Sequence, residues 1–369
     1  MVKYKIAIIS PKDMNLYKFR KELIEELVNK GYDVVLICPY GKMLDGFIEL
    51  GCRNIDISID RRGISIISDF LLLKNYYRIL KKEKPNIVLT YTTKCSIYGG
   101  LVCRMLKIKS IINNSGLLDA QCYPRYLKFA LNILYRIGFK KASCMMYQNY
   151  YERDYLNNIL RNKVRYVDIP GSGINLHEFK YVEYPSEDEP IVFNFVGRLV
   201  NIKGIDLFIE CAKEVKNIYP NTKFKIYGDY DDASYLGIIE ELEKNEIVEY
   251  MGLVSDMHDP IRESSAFIHP SFYEGMTNVV LEHSAMGRVC IGSDIPGVRE
   301  GIEDGVTGYT FPCKDVDALV ATVKKFIELP HEQKEAMGRA ARKKVEMEFD
   351  RNIVTNIYLN EIGKILSEG

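Results

Sequence analysis

The feature that most constrains this chain is an alternation of strand and helix that runs, breaks and then restarts. Short apolar runs rich in Val, Ile and Leu fall at 5–10, 33–39, 86–91 and 110–114, with helical patterns at 17–30, around 43–50 and at 66–82. Gly31 closes the first helix and Pro85 stops the third. The polar stretch 183–190 (Glu-Tyr-Pro-Ser-Glu-Asp-Glu-Pro) interrupts this rhythm. Beyond it the pattern resumes, with strands expected at 191–196, 223–228, 247–251, 266–269 and 289–292 and closing helices at roughly 331–347 and 352–366. Strands separated by helices pair in parallel through right-handed crossovers. With 369 residues there is chain enough for two such cores. The expected fold class is α/β: two doubly wound parallel-sheet domains at 1–183 and 191–350, joined by a linker at 184–190.

Two segments of the second half carry chemistry. In Ser271-Phe272-Tyr273-Glu274-Gly275-Met276-Thr277-Asn278-Val279-Val280-Leu281-Glu282, Glu274 sits in a turn after the apolar run 266–270. Glu282 falls inside a helix that Thr277 or Asn278 would cap. Free N–H groups at such a helix start favour an anion, most often a phosphate. Carboxylates beside that anion accept hydrogen bonds from hydroxyls of a ribose or hexose. An isolated Glu pair near a helix start is also explained by the helix dipole alone. Upstream, Gly197-Arg198-Leu199-Val200-Asn201-Ile202-Lys203-Gly204 joins a strand to a helix, the place where open α/β sheets bind ligands. A forked Arg198 and a point-charge Lys203 suit a diphosphate. Two solvated cations would be unremarkable in one loop; beside the acidic turn, they point to a sugar nucleotide.

At these residues the chain resembles a known group. Gly197-Arg198…Lys203-Gly204, Glu274-Gly275…Glu282 and Gly305-Val306-Thr307-Gly308 resemble the retaining family 4 glycosyltransferases of the GT-B fold. Phe19-Arg20-Lys21-Glu22-Leu23, Tyr91-Thr92-Thr93-Lys94…Tyr98-Gly99 and Gly171-Ser172-Gly173-Ile174-Asn175 are similar to a subgroup that builds bacterial or archaeal surface glycans. The resemblance implies two Rossmann-like domains facing a central cleft, with the helix at 351–369 crossing back to the N-terminal domain. It implies a nucleotide-sugar co-substrate, a UDP-hexose or UDP-N-acetylhexosamine, and no other cofactor. The implied acceptor is a polyprenyl-diphosphate-linked glycan of capsule, O-antigen or related glycan synthesis.

Expulsion of a nucleoside diphosphate loads charge onto the leaving group, so its stabilisation is expected to dominate catalysis. Arg198 and Lys203 are the candidates, with N–H groups near Thr277 and Asn278; fixed cations then replace a divalent metal. The resemblance gives Glu282 the ribose hydroxyls and Glu274 the donor-sugar hydroxyls, with Gly197, Gly275 and Met276 completing the donor site. The resemblance also implies that the donor diphosphate takes the acceptor proton in a same-face substitution. One departure stands out: many relatives place a His before a Gly where this chain has Asn113-Asn114-Ser115-Gly116-Leu117. Arg20, Lys94, Tyr98, Ser115 and Gly116 become the acceptor-side candidates, although Arg20 reads first as an ordinary surface Arg on a helix.

Other signals are weaker. Asp229-Tyr230-Asp231 matches a metal-holding DxD pattern but reads as a short acidic turn, and His269 and His283 read as structural residues, His269 being placed to line the pocket. Nine Cys without a CxxC pair and five His without a cluster argue against structural zinc. Met1-Val2-Lys3-Tyr4-Lys5-Ile6 runs straight into a strand, so a reducing cytoplasmic setting is expected. No apolar stretch approaches membrane-spanning length.

Zero net charge conceals an asymmetry. Residues 1–180 hold 30 Lys and Arg against 16 Asp and Glu; the remainder holds 20 against 34. The basic half is expected to face something anionic. No nucleic-acid-binding signature accompanies it; acidic lipid headgroups fit better. From 123 to 141 the only charges are Arg125, Lys128, Arg136, Lys140 and Lys141, interleaved with Tyr126, Leu127, Phe129, Leu131, Ile133, Leu134, Tyr135, Ile137 and Phe139. This suits a helix lying in a headgroup layer at the inner face of the plasma membrane, or a core helix whose basic stems snorkel past its rim. Two rival functions remain: a UDP-sugar epimerase of the same fold, which needs acid–base groups beside C2, and a silent partner subunit of a true transferase, which has no need of the full donor set.

Overall fold

Alternate residues of the same strands go to opposite sides of a sheet, and here both sides are apolar, so each strand is covered twice. The computed structural model describes residues 4–59, 66–113 and 124–368. In order they form β1 (Lys5–Ile9), α1 (Asp13–Asn29), β2 (Asp33–Ile37), α2 (Asp45–Glu49), β3 (Arg53–Ile55), α3 (Ile66–Glu83), β4 (Ile87–Tyr91), α4 (Thr93–Leu106), β5 (Lys109–Asn113), α5 (Arg125–Phe139), β6 (Cys144–Tyr147), α6 (Tyr150–Leu160) and β7 (Tyr166–Asp168). There follow β8 (Val192–Val196), α7 (Ile205–Ile218), β9 (Lys223–Tyr227), α8 (Tyr235–Lys244), β10 (Glu249–Gly252), α9 (His258–Glu263), β11 (Ala266–His269), α10 (Asn278–Ala285), β12 (Val289–Ser293), β13 (Gly308–Phe311), α11 (Val316–Ile327), α12 (His331–Glu348) and α13 (Arg351–Ser367).

The chain divides into unit 1, Met1–Ser172 with Arg351–Gly369, and unit 2, Gly173–Asp350. The sheet of unit 1 runs β3-β2-β1-β4-β5-β6-β7, all parallel. Ile6, Ile8, Val34 and Leu36 pack with Leu16, Leu23 and Leu27 of α1 and with Val354, Tyr358, Ile362 and Ile365 of α13. Their neighbours Ala7, Ile9, Val35 and Ile37 pack on the other face with Leu72, Tyr76 and Leu80 of α3 and Val102 of α4. Thus α13 supplies a stripe at helical spacing to the first core, and Arg351 pairs with Glu22 at 3.2 Å.

The sheet of unit 2 runs β10-β9-β8-β11-β12-β13, again all parallel. Its core is aromatic: the Phe193 and Phe224 rings stack at 5.0 Å and Phe208 meets Phe224 edge-on at 5.6 Å. Residues 173–190 lie with this unit, and the fully buried Arg288 shows why. Its guanidinium donates to the carbonyls of Val182, Glu183, Ile261 and Arg262 at 2.7–3.1 Å. Burial pulls its pKa down to about 10, so it stays charged and ties that segment to α9. In each sheet, strand order reverses at one place, between β1 and β4 and between β8 and β11. The crevices beyond the carboxyl ends of those strands are where such sheets hold ligands.

Candidate active site

In unit 2 the loops after β8, β11 and β12 meet at the β8/β11 reversal. Gly204, at φ 73°, ends a short turn over Asn201–Lys203. A Cβ there would lie 1.9 Å from the Pro270 carbonyl oxygen, so only glycine lets the two loops approach this closely. Phe272 N donates to Ile202 O at 2.9 Å across the join. Lys203 Nζ thereby reaches Glu274 Oε1 at 2.6 Å, and His269 Nε2, from the end of β11, donates to the same oxygen at 3.0 Å. Burial opposes ionisation of Glu274, but the Lys203 ammonium and the His269 hydrogen bond outweigh it and hold the carboxyl at about 2. Glu274 is an anchored anion.

The loop after β12 completes the turn. Gly297, at φ 88°, lies so close that a Cβ would come within 2.6 Å of Gly275 O and 2.8 Å of Glu274 O. Thr277 N donates to Gly297 O at 3.0 Å, and Gly297 N donates to Glu300 Oε2 at 2.7 Å. The Thr277 N–H, expected to face an anion, is therefore committed to the β12 loop. Thr277 occupies the N-cap position of α10, yet its side chain makes no capping hydrogen bond. Asn278 opens α10 with its side-chain oxygen buried and without a hydrogen-bond partner. Met276 is buried, and Glu282 lies half-buried on the second turn of α10. Gly197 follows β8 with Lys203 Cγ 4.0 Å from its ideal Cβ position. Arg198 is half-exposed and paired with Asp231, so the Asp229-Tyr230-Asp231 segment serves as a counter-ion for the loop after β8. Among the described residues, no group of three or more His, Cys, Asp and Glu is placed to hold a metal. His283 is wholly buried; burial drives its pKa to about 3, it stacks on Phe267 at 4.2 Å, and it is a neutral core residue.

A second cluster stands at the β1/β4 reversal of unit 1. Thr92 links β4 to α4 at φ 71°, ψ 155°, a region that a β-branched residue enters only under strain. Two residues on, Lys94 Nζ lies 2.7 Å from Asp69 Oδ1, and Tyr98 Oη donates to Asp69 Oδ2 at 2.8 Å. Burial and the Asp69 carboxylate push the Tyr98 phenol up. Sequence reasoning named Lys94 and Tyr98 but missed Asp69, from the first turn of α3. Arg20 differs from its surface reading: it is 5% exposed, stacked over Tyr91 at 4.6 Å and near the Tyr358 ring at 5.6 Å, and donates to Phe19 O at 2.6 Å. It reaches from α1 onto β4 and α13. Ser115 and Gly116 lie outside the described residues.

Of the basic residues of α5, Lys128 sits 5.6 Å over the Tyr155 ring and Arg136 Nε donates to Ile159 O at 3.1 Å. The expected basic stripe thus borders α6, while Arg125 and Phe129 are exposed on the helix and Lys140 and Lys141 follow it, exposed.

Comparison with known proteins bears on the family and the fold. The family described as "Glycosyl transferases group 1" matches residues 178–344, and that described as "Glycosyl transferase 4-like" matches residues 5–149. The N,N'-diacetylbacillosaminyl-diphospho-undecaprenol alpha-1,3-N-acetylgalactosaminyltransferase of Campylobacter jejuni is 24% identical, over 98% of this chain and 99% of its own. The UDP-Gal:alpha-D-GlcNAc-diphosphoundecaprenol alpha-1,3-galactosyltransferase of Escherichia coli is 25% identical, over 80% of each chain. Among solved structures, a glycosyltransferase from Rickettsia africae superposes over the full length of both chains with a TM-score of 0.79 at 17% identity. The Anabaena protein Alr3699/HepE, crystallised with UDP-glucose, superposes over 98% of this chain and 99% of its own, with a TM-score of 0.75 at 12% identity. With matches across both units and the GT-B fold in common, the chain belongs to the 4-like, group 1 glycosyltransferases and is a hexosyltransferase.

Proposed function

We propose that this protein transfers a hexose or N-acetylhexosamine from a UDP-sugar to a polyprenyl-diphosphate-linked glycan, with retention of configuration and without a metal. The observation that carries the reading is the ion pair of Lys203 with Glu274 at the β8/β11 reversal, 2.6 Å long and fixed by His269. Lys203 and Arg198 supply positive charge to the departing diphosphate, where electrostatic stabilisation is worth most. Both cations carry carboxylate partners, Glu274 and Asp231, which aim them and lower the cost of holding charge there. Glu274, held ionised, accepts hydrogen bonds from donor-sugar hydroxyls, and Glu282 accepts those of the ribose. Gly197, Gly275, Met276, Thr277 and Asn278 shape the donor pocket, with first-turn amides of α10 facing the phosphates. Lys94 and Tyr98, joined by Asp69, receive the acceptor.

The relatives named above form alpha linkages on diphospho-undecaprenol acceptors, and one uses UDP-Gal by name. An alpha product from an alpha-linked nucleotide sugar is retention. The described helices include none long and apolar enough to cross a membrane, so a lipid-linked acceptor would be met from the bilayer surface, the inner face of the plasma membrane. The test is UDP release from defined UDP-sugars in the presence of EDTA, with and without a polyprenyl-diphosphate-sugar. Release that needs the acceptor supports transfer; release without it, or sugar interconversion without UDP release, favours another reaction of this fold.

A further inference from the structure

In two helices of unit 1 the most exposed apolar side chains lie toward the N-terminal end. On α3, Ile67, Phe70 and Leu71 are 75%, 65% and 50% exposed, whereas Leu72, Tyr76 and Leu80 further along are buried. On α5, Tyr126, Phe129 and Ile133 are 76%, 68% and 44% exposed, and its buried residues are confined to Tyr135, Gly138 and Phe139 near its other end. These three α5 residues stand at i, i+3 and i+7, a helical stripe that Ile137, 37% exposed, continues. Each helix returns from the carboxyl edge of the same parallel sheet, so both apolar ends lie at that edge.

Between them runs α4, packed on both. It meets α5 through glycines: a Cβ on Gly100 would lie 2.5 Å from Gly138 O, and one on Gly138 would lie 2.7 Å from Ile97 O. At ordinary helix spacings the α3 and α5 axes are then roughly 20 Å apart. That contact pins α5 near its C-terminal end and leaves its first half outside the core.

The charges say what covers this surface. Residues 125–139 contain no Asp or Glu; Arg125, Lys128 and Arg136 are followed by Lys140 and Lys141. Lys128 and Arg136 border α6, so cations flank the apolar stripe. Apolar side chains outward with a cationic border fit an anionic bilayer, the rings entering the acyl boundary and the cations staying with the phosphates. We propose that the start of α3 and the first half of α5 form one bipartite lipid-inserting surface. It holds the first turn of α4, with Lys94 and Asp69, at headgroup depth. Where the acceptor is a polyprenyl diphosphate, a role that rests on the function proposed above, Lys94 then meets it at the level of its phosphates.

The chain has no Trp, so a single introduced one reports its own surroundings. Full-length Phe70→Trp and Phe129→Trp are mixed with phosphatidylglycerol–phosphatidylethanolamine vesicles and with pure phosphatidylcholine vesicles. Both probes are expected to shift to the blue with the anionic vesicles and to be quenched by brominated acyl chains. The combined variant Phe70→Ser, Leu71→Ser, Phe129→Ser is expected to sediment with those vesicles at least tenfold less, while UDP release with a short-chain, water-soluble acceptor is unchanged. A shift at 129 without one at 70 overturns the bipartite surface. Unchanged sedimentation of the triple variant overturns it too. So does a wild-type dimer, seen by sedimentation velocity, that the serines dissociate while vesicles bind neither form. Absence of UDP release with every acceptor would instead sink the transferase reading and leave the vesicle result standing.

Discussion

Glu274 shows how a few atoms fix the charge state of a site. Its pKa lies below the ordinary 4.5, at about 2. A carboxyl depressed on folding stabilises the protein above its unfolded pKa and loses that contribution as pH falls through its folded one. Replacing it by Gln should therefore cost on the order of 2–3 kcal/mol at pH 7. In urea titrations, the gap between wild type and Glu274→Gln should narrow as pH drops from 4.5 toward 2; a gap independent of pH would mean the pair contributes nothing. Lys203→Met should lower turnover about 100-fold or more, with the fold checked by circular dichroism; near-normal turnover would remove Lys203 from the chemistry. That Lys203 and Glu274 stand together was legible because two short loops carry them at recognisable spacings. Gly297 was not, since its relation to Glu274 depends on the parallel register of β11 and β12, which no local pattern encodes; His269 was readable as lining the pocket but not as the partner of Glu274. Asp69 was hidden for the same reason: its partner Lys94 is on another helix.

At the scale of elements, long periodic segments were readable and short or glycine-bearing ones were not. The three-residue strands β3 and β7 are too brief to show a period. Helix α4 contains Gly99 and Gly100, poor helix formers that are required where Thr90 and α5 press against the helix. The β4–α4 junction holds the strain at Thr92, worth about 1–3 kcal/mol in general. Thr92→Gly should raise the thermal midpoint by a few degrees while increasing the KM for acceptor, because Lys94 loses its fixed aim. A midpoint that falls would show Thr92 to be unstrained. Arg288→Met removes the donor to four carbonyls from separate segments and should cost roughly 3 kcal/mol. Its thermal midpoint should drop with turnover per folded molecule intact; a variant as stable as wild type would show that the 173–190 segment is held by other contacts.

For the whole molecule, the sequence marked two α/β halves because the strand–helix rhythm restarts, and the two all-parallel sheets bear that out. The opposition of charge between halves also has a counterpart in the structure: unit 2 carries the anchored carboxylate Glu274, and unit 1 carries the basic α5 with its exposed apolar stripe. Substitution should separate the two roles. Lys94→Ala should raise the KM for acceptor several-fold with donor binding by calorimetry unchanged, whereas Lys203→Ala should weaken donor binding itself. The reverse pattern would exchange the assignments.

The most direct test of the central claim is release of UDP from a panel of UDP-sugars by the full chain, in EDTA, with and without a polyprenyl-diphosphate-sugar. The account predicts release from one donor, dependent on the lipid acceptor and indifferent to the chelator, and its loss in Lys203→Met. Release that requires a divalent metal, or that proceeds equally without any acceptor, would contradict it.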